Sequence, residues 1–309
     1  MSAKTRGIAS ALVGAALWGF SGTCAQYLFA HYEVPALFLT AFRMLASGLL
    51  FLALLLWRRR DALRSLLRDK SSRRQVIAFG AVGLLMCQLT YLMAISYTNA
   101  GTATVLQNLN IVFCLLVGLV VGRRGPRLAE VASLVCALAA GVLVSTKGDL
   151  SVLSIPLAGL VWGILNAASC TFYIMYPRRL FERWGSLVPT GLGMLVGGIA
   201  ASVIFAIGCV ASPATVYVPT LGGDGILVLA IIAVAGTFAA FGLYLHGVSL
   251  VGGVMGSLLG SVEPVSACVF SAVWIGTQFV GADWAGLVLM VAAVFLTSIG
   301  APPSTTSER

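Results

Sequence analysis

Charge is scarce in this chain of 309 residues: only 9% are Asp, Glu, Lys or Arg, whereas 59% are hydrophobic. Soluble domains usually carry about 25% charged residues, and a folded water-soluble chain exposes too much surface to hide so many apolar side chains. The composition therefore predicts a polytopic membrane protein. In such a protein a formal net charge of +9 indicates basic cytoplasmic loops, so no nucleic-acid partner is predicted.

Motifs for metal binding and catalysis are also lacking. The chain has two histidines, and its seven cysteines fall within apolar runs without a CxxC pair, so no zinc site is expected. There is no P-loop, no HExxH and no GxSxG, which removes the usual machinery of nucleotide-driven pumping and hydrolysis. We expect no metal, no cofactor and no enzyme activity.

Long apolar runs, in contrast, fill the chain. A helix needs about 20 apolar residues to cross the hydrocarbon core, and ten runs meet this length; we interpret the N-terminal run as a span and not as a cleaved signal. The predicted fold is an all-α polytopic membrane protein with ten transmembrane helices. The runs are 8–30, 35–57, 76–97, 100–122, 128–146, 155–176, 187–211, 225–245, 251–276 and 282–300.

The distribution of basic residues predicts the orientation of these spans. With both termini in the cytoplasm, 17 of the 19 basic residues fall in cytoplasmic segments, whereas Glu33, Asp149, Asp224 and Asp283 lie outside. This agrees with the positive-inside rule. The 17 residues are Lys4, Arg6, Arg58, Arg59, Arg60, Arg64, Arg68, Lys70, Arg73, Arg74, Arg123, Arg124, Arg127, Arg178, Arg179, Arg183 and Arg309.

The two halves of the sequence repeat each other weakly. A shift of 153 residues lays 91–113 over 244–266, so that Tyr91 meets Tyr244 and Asn110 meets Glu263. Each half holds five spans, and because five is odd the second half enters the membrane from the opposite side. We predict two inverted five-helix repeats, 1–150 and 151–301, followed by a cytoplasmic tail, 302–309. Inverted repeats are common in secondary transporters, which bind their substrates near the midplane.

Four stretches resemble the EamA branch of the drug/metabolite transporter superfamily: "ALWGFSGT", "AFRMLASGLL", "TNAGTATVLQNLNIVF" and "GGVMGSLLGSVEPV". The resemblance extends from about Gly7 to Gly300. It implies a ten-helix transporter whose central cavity is lined mainly by spans one, three, four, six, eight and nine. Many members of the family export amino acids or other metabolites. The first half here has Asn110 where many members carry an "EPV"-like acid, which argues against a scheme with two carboxylates.

Two charged residues fall inside spans. Glu263 lies about 18 Å into the ninth span at 1.5 Å per residue, and intramembrane acids are candidates for function; it is predicted to bind a substrate ammonium or a proton, or to be a structural acid. Three roles are predicted for Arg43 in the second span. It binds a substrate carboxylate, forms an ion pair with Glu263, or acts as a structural clamp that donates hydrogen bonds to backbone carbonyls of neighbouring helices. We favour the structural clamp, because the resemblance places the second span off the cavity.

Polar and aromatic residues on the first, fourth and sixth spans complete the predicted binding site. Trp162, Asn166, Ser169 and Tyr173 form one helical stripe, and Thr104, Gln107 and Asn108 share a face of the fourth span. Plain helix packing is the alternative for each small polar residue. The full set is Trp18, Ser21, Thr104, Gln107, Asn108, Asn110, Trp162, Asn166, Ser169, Tyr173 and Glu263.

These observations predict an inner-membrane secondary transporter that works by alternating access. Its expected partners are membrane lipids and a small organic solute, an amino acid or related metabolite, which is exported. Glu263 is a candidate for proton coupling. Two alternatives remain: a lipid-carrier flippase of the same fold, for which Arg43 is the one cation available to a phosphate, and an integral membrane enzyme acting on lipid, for which no convergent catalytic set is found.

Overall fold

Within the residues that the structure describes, ten helices are long and apolar enough to cross a membrane, which confirms the predicted all-α membrane fold. The computed structural model describes residues 2–122 and 125–300, so the predicted tail at 302–309 lies outside the described residues. Regular structure in the described ranges is entirely helical. The spans are α1 Ala3–Tyr32, α2 Ala36–Arg58, α3 Lys70–Tyr97, α4 Ala100–Val121, α5 Leu128–Thr146, α6 Leu157–Trp184, α7 Leu187–Ala211, α8 Gly223–Val251, α9 Gly253–Ile275 and α10 Gly281–Ser298.

The two ends of the bundle differ in charge. One end, called here the basic end, carries the α2–α3 connection, with its short helix Arg60–Arg68, and the segment Arg178–Trp184 at the end of α6. The other end, called the acidic end, carries Glu33, Asp149 and Asp283. Short connections such as residues 98–99 make sequence neighbours run antiparallel.

Helix irregularities recur at matching places in the two halves. α4 is broken by a turn at Asn108 and Leu109, and α9 is broken at Ser261, which is 153 residues after Asn108. α3 and α8 each contain a π-helical segment, at Phe79–Leu84 and Val234–Ala239. Such segments are rare in helices and are often found at functional sites. The breaks are 153 residues apart and the π-helical segments 155 residues apart, which is consistent with an internal repeat whose register differs by two residues between α3/α8 and α4/α9.

The packing of the helices follows the same relation. α1 packs on α8 and α9, and its counterpart α6 packs on α3 and α4. α2 packs on its counterpart α7, and α5 packs on its counterpart α10. Each helix of one half therefore packs against the other half in the same way as its counterpart does. An inverted repeat produces this pattern.

Glycine allows the closest approach between α2 and α7. A Cβ atom added at Gly48 would lie 2.6 Å from the backbone Cα of Leu195, and one added at Gly198 would lie 2.5 Å from the backbone nitrogen of Leu45. These neighbours are backbone atoms, which cannot rotate away. Small residues bring membrane helices into such backbone contact and make it favourable through dispersion.

Gly48→Ala is expected to destabilise the protein by roughly 1–3 kcal/mol, the usual cost of overpacking a close contact. Gly118→Ala is the matched control, because it also lies within a spanning helix but has no atom within 4 Å of an added Cβ. Thermal unfolding of the purified variants in detergent measures the difference. Equal melting temperatures for the two variants would contradict the α2–α7 contact.

Asp69 links the two halves at the basic end. Its carboxylate accepts hydrogen bonds from the Ser72 hydroxyl at 2.6 Å and from the Arg183 guanidinium at 2.8 Å, and the Ser72 hydroxyl accepts one from the Trp184 indole at 2.9 Å. The hydrogen bond from the Ser72 side chain is the main cause that lowers the pKa of Asp69 below its usual 3.8. Asp69 therefore stabilises the fold fully above pH 3.8, and this contribution is lost as the pH falls through its folded-state pKa.

Asp69→Asn is expected to lower the melting temperature at pH 7, because the amide removes the charge that attracts Arg183. The gap from the unsubstituted protein should narrow as the pH falls below 3.8 and towards the lowered pKa of folded Asp69, because Asp69 then becomes protonated and neutral like the asparagine. Asp61→Asn, in the same connection, serves as control. Melting curves at pH 7 and pH 3 provide the measurement, and a gap of the same size at both would be evidence against this role.

Candidate functional site

A cavity of about 610 Å³ lies between the two halves of the bundle. Glu263 and Asn110 line it midway along α9 and α4, and its wall continues to Ser249 and Gly253 where α8 connects to α9. Because Ser249 and Gly253 are exposed, the cavity opens at the basic end. Its volume is within the usual range for small-molecule sites.

Part of the wall is built from residues that correspond in the two halves. At the shift of 153 residues, both members of five pairs line the cavity. The cavity therefore lies where the two halves of the chain meet, and substrate sites in transporters built from inverted repeats lie at such a place. The pairs are Gln88 with Phe241, Tyr91 with Tyr244, Gln107 with Gly260, Asn108 with Ser261, and Asn110 with Glu263.

Six of the eleven residues predicted for binding line this cavity, and their roles stay predictions. Those in the wall are Trp18, Gln107, Asn108, Asn110, Tyr173 and Glu263, whereas Ser21, Thr104, Trp162, Asn166 and Ser169 lie elsewhere.

Two of the predicted residues outside the wall hold helices together. The Asn166 side chain donates hydrogen bonds to the Cys87 carbonyl at 2.7 Å and to the Thr90 hydroxyl at 3.0 Å, which ties α6 to α3. The hydroxyls of Thr104 and Tyr91 are 2.9 Å apart. Thr104 therefore positions Tyr91, which does line the cavity.

The other three predicted residues are separated from the cavity by packing. Trp162 lies in the first turns of α6, near the closed acidic end, and packs against the hydrophobic cluster around Leu28 and Leu92. Ser21 is buried against Gly236 of α8. Ser169 is half-buried but does not contribute to the wall. Only Tyr173, the member of the α6 stripe closest to the basic end, reaches the cavity.

The position of Arg43 differs from the one that the favoured interpretation predicts. It lines the cavity, although α2 was expected to lie off it. The hydrogen bonds to backbone carbonyls that a structural clamp needs are not formed with any described residue, since its Nε and Nη1 atoms are buried without a partner. A direct ion pair with Glu263 is likewise not found among the described residues. The side chain is only 3% exposed.

Sequence reasoning missed several residues of the wall. Gln88, Tyr91, Phe241 and Tyr244 line the cavity but were not predicted to do so. The repeat alignment contained the signal, because it laid Tyr91 over Tyr244. Trp18 packs against both Phe241 and Tyr244, with ring centroids 4.8 and 4.6 Å apart. These aromatic rings give one side of the cavity an apolar surface.

The polar side of the cavity centres on Glu263. The Gln107 amide donates a hydrogen bond to the Glu263 carboxylate at 3.4 Å, joining α4 to α9. Asn110 lies one turn away on α4, and its amide donates to the Cys170 sulfur at 3.1 Å. The carboxylate thus keeps free acceptor capacity towards the cavity, and an ammonium or a proton is the chemistry that it can accept.

At the acidic end, one amide side chain joins three helices. Gln26 of α1 accepts hydrogen bonds from the Ala100 backbone nitrogen at 2.9 Å and from the Ser271 hydroxyl at 2.6 Å, and it donates to the Thr277 hydroxyl at 2.9 Å. It therefore connects the start of α4 to the end of α9. Nearby, Gly101 of α4 lies against Cys268 of α9. These contacts close the acidic end.

Tyrosines fasten α1 to α8 at the same end. The hydroxyls of Tyr27 and Tyr32 donate to the two carboxylate oxygens of Asp224 at 2.7 and 2.5 Å. The Tyr27 ring also stacks on Trp274 of α9, with centroids 5.2 Å apart. The cavity is consequently shut towards the acidic end and open towards the basic end.

Comparisons with known proteins agree with this architecture. A family model described as the EamA-like transporter family matches residues 5–146 and 157–299. A protein of Salmonella typhimurium described as the uncharacterized inner membrane transporter YicL is 33% identical over 299 residues, which is 97% of each chain. A solved crystal structure, described only as that of a protein, has a TM-score of 0.62 and 19% identity over 97% of this chain and 98% of that chain, a likeness of fold alone.

Gln26→Ala is expected to loosen the closed end, because it removes the hydrogen bonds that join α1 to α4 and α9. For the measurement, the native cysteines are replaced and a single reporter cysteine is introduced in the cavity by Gln107→Cys. A membrane-impermeant maleimide is then added from the acidic side, with and without Gln26→Ala, and labelling of the reporter is compared. Labelling should rise several-fold. Gln278→Ala is the control, since Gln278 is exposed at the same end and bonds only the nearby Gly276 carbonyl. Equal labelling of both variants would show that Gln26 does not close this end.

Proposed function

We propose that this chain, which belongs to the EamA-like transporter family, is a secondary transporter of small organic solutes that works by alternating access. Its ten apolar helices and its relationship to an inner membrane transporter make it a multi-pass protein of the inner membrane, and a transporter and not an enzyme. The solute is an amino acid or a related amphipathic metabolite, and it is exported.

One observation carries the proposal: a cavity of about 610 Å³ at the meeting of the repeats opens to one end of the bundle, while Gln26 and its partners close the other. A solute that enters from the basic end reaches Glu263 without passing through lipid. Opening the acidic end while the basic end closes would release it on the other side. Two halves of similar structure support such an exchange of shapes.

The distribution of charge supports the proposed orientation, from which export would start. The positive-inside rule assigns the basic end, and both termini, to the cytoplasm. The open cavity then faces the cytoplasm, where an exported solute is loaded. The wall combines aromatic rings, such as Trp18 and Phe241, with a carboxylate and amides, which suits an amphipathic solute.

Glu263 is the residue on which transport should depend most. It binds the ammonium of the solute or a coupled proton, because it is the acid in the wall and keeps free acceptor capacity. The corresponding position in the first half, Asn110, carries an uncharged amide. The scheme therefore uses a single acid.

Transport in proteoliposomes tests the proposal, with radiolabelled amino acids supplied on the basic side. Glu263→Gln, which keeps the shape of the side chain and removes its charge, should slow transport at least about tenfold, because a hydrogen bond to a charged group contributes about 1.5–3 kcal/mol, and it should change the dependence of transport on pH. Glu182→Gln is the matched control, because Glu182 is exposed at the basic end. Unchanged uptake and unchanged pH response in Glu263→Gln would remove Glu263 from the mechanism.

A further inference from the structure

Three side chains with unpartnered hydrogen-bond donors lie in the wall of the cavity. The donors are the Trp18 indole nitrogen of α1, the Nε and Nη1 atoms of Arg43 on α2, and the Gln88 amide nitrogen of α3, and all three residues line the cavity. Arg43 is 3% exposed and Gln88 is 7% exposed. The three helices belong to the same half of the protein and converge there.

The cost of leaving these donors unpaired is large. A buried donor without an acceptor forfeits the hydrogen bond that it had in water, and a buried cation without a counter-charge costs more than a neutral group. These atoms have almost no exposed surface in this conformation, although their side chains line the cavity. The protein therefore holds unpartnered donors, two of them on a cation, beside a cavity of ligand size, and an anionic acceptor would pair with them.

Glu263 lies in the wall of the same cavity, and it belongs to the other half of the protein. It is not in direct ion contact with Arg43 among the described residues, so each charge is available to a ligand. One cation and one anion in one cavity match a solute that carries both signs. A dianionic phosphate would be attracted by Arg43 but repelled by Glu263, which disfavours it.

We propose that Arg43, Gln88 and Trp18 form a carboxylate subsite that, opposite an ammonium subsite at Glu263, makes the cavity selective for zwitterionic amino acids. This rests on the proposed function and names its substrate class. The guanidinium of Arg43 binds the carboxylate through charge-assisted hydrogen bonds, Gln88 and Trp18 donate to the remaining lone pairs, and the side chain of the solute lies against Phe241 and Tyr244.

Selectivity follows from the same unpaired groups. An amine without a carboxylate leaves the donors of the three side chains unpaired, and an acid without an ammonium leaves Glu263 unpaired. Sites built around buried polar groups reject ligands that lack the matching group. The amino acid should therefore bind more tightly than either analogue. The difference in affinity should exceed the loss of one solvent-exposed contact, because each analogue also leaves a buried polar group unpaired.

Binding to the purified full-length protein in detergent provides the test, read as a shift in melting temperature across the twenty proteinogenic amino acids. Phenylalanine is then compared with phenethylamine, 3-phenylpropanoate and phenyl phosphate. We expect stabilisation by amino acids and at least about tenfold weaker binding of each analogue. Absence of any shift with the twenty amino acids, or equal binding of phenethylamine and phenylalanine, would overturn the subsite. Tighter binding of phenyl phosphate would assign Arg43 to phosphate instead.

Substitutions separate the subsite from a structural role. Arg43→Gln should weaken binding of phenylalanine roughly ten- to hundredfold while binding of phenethylamine is unchanged; a structural role would weaken both equally. Arg64→Gln, at an exposed position of the basic end, is the control. Trp18→Phe, which removes only the indole donor, and Gln88→Leu should show the same selective loss to a smaller degree, and they carry the test if Arg43→Gln does not fold. Unchanged phenylalanine affinity in all three variants would overturn the proposal.

Transport of the same compounds keeps the two proposals distinguishable. If amino acids bind with the expected selectivity but do not cross proteoliposome membranes, the subsite stands and the proposed transport function fails. If solutes are transported without preference for a carboxylate, and Arg43→Gln transports them as the unsubstituted protein does, the transport function stands and the subsite fails.

Discussion

The architecture depends on the cost of isolating a charge from water. Arg43 and Glu263 lie within spanning helices, and an ionised side chain at the bilayer centre costs roughly 2.5–3.5 kcal/mol on insertion scales. The two residues do not neutralise each other by direct contact. Both instead line a cavity between the halves. The bundle is therefore organised around a polar interior, and the apolar surfaces of its ten helices face outward or pack between helices.

The repeat sets the position of that interior, and divergence of the repeats sets its chemistry. Corresponding residues line the cavity from both halves, yet Asn110 corresponds to Glu263 and Gln88 corresponds to Phe241. A symmetrical pair of acids would repel each other, whereas one acid leaves room for a cation from α2. The same difference gives the cavity an aromatic side and a polar side.

Much of the fold follows from the sequence, because hydropathy and loop charge depend on the bilayer and not on tertiary detail. The ten helices are predicted this way, and the polar positions Gln107 and Glu263 are predicted to face the interior. Periodicity fails for Asn166 and Trp162, since it tells which residues share a face and not which helix that face meets. Asn166 meets the backbone of α3, and Trp162 lies at the closed end. Arg43 lines the cavity although α2 was expected to lie off it, because a long side chain reaches beyond the face of its own helix.

The contacts between helices differ in how easily they can be broken. α2 and α7 meet through glycines at backbone distance, and α1 is fastened to α8 both at Gly14, beside Tyr244, and at Asp224 through two tyrosines. Separating such surfaces would forfeit close packing along whole helices. The closure of the acidic end, in contrast, depends on a few hydrogen bonds of Gln26, each of which water can replace at modest net cost. A change of access should therefore move fastened helix pairs as units and break the Gln26 contacts between them.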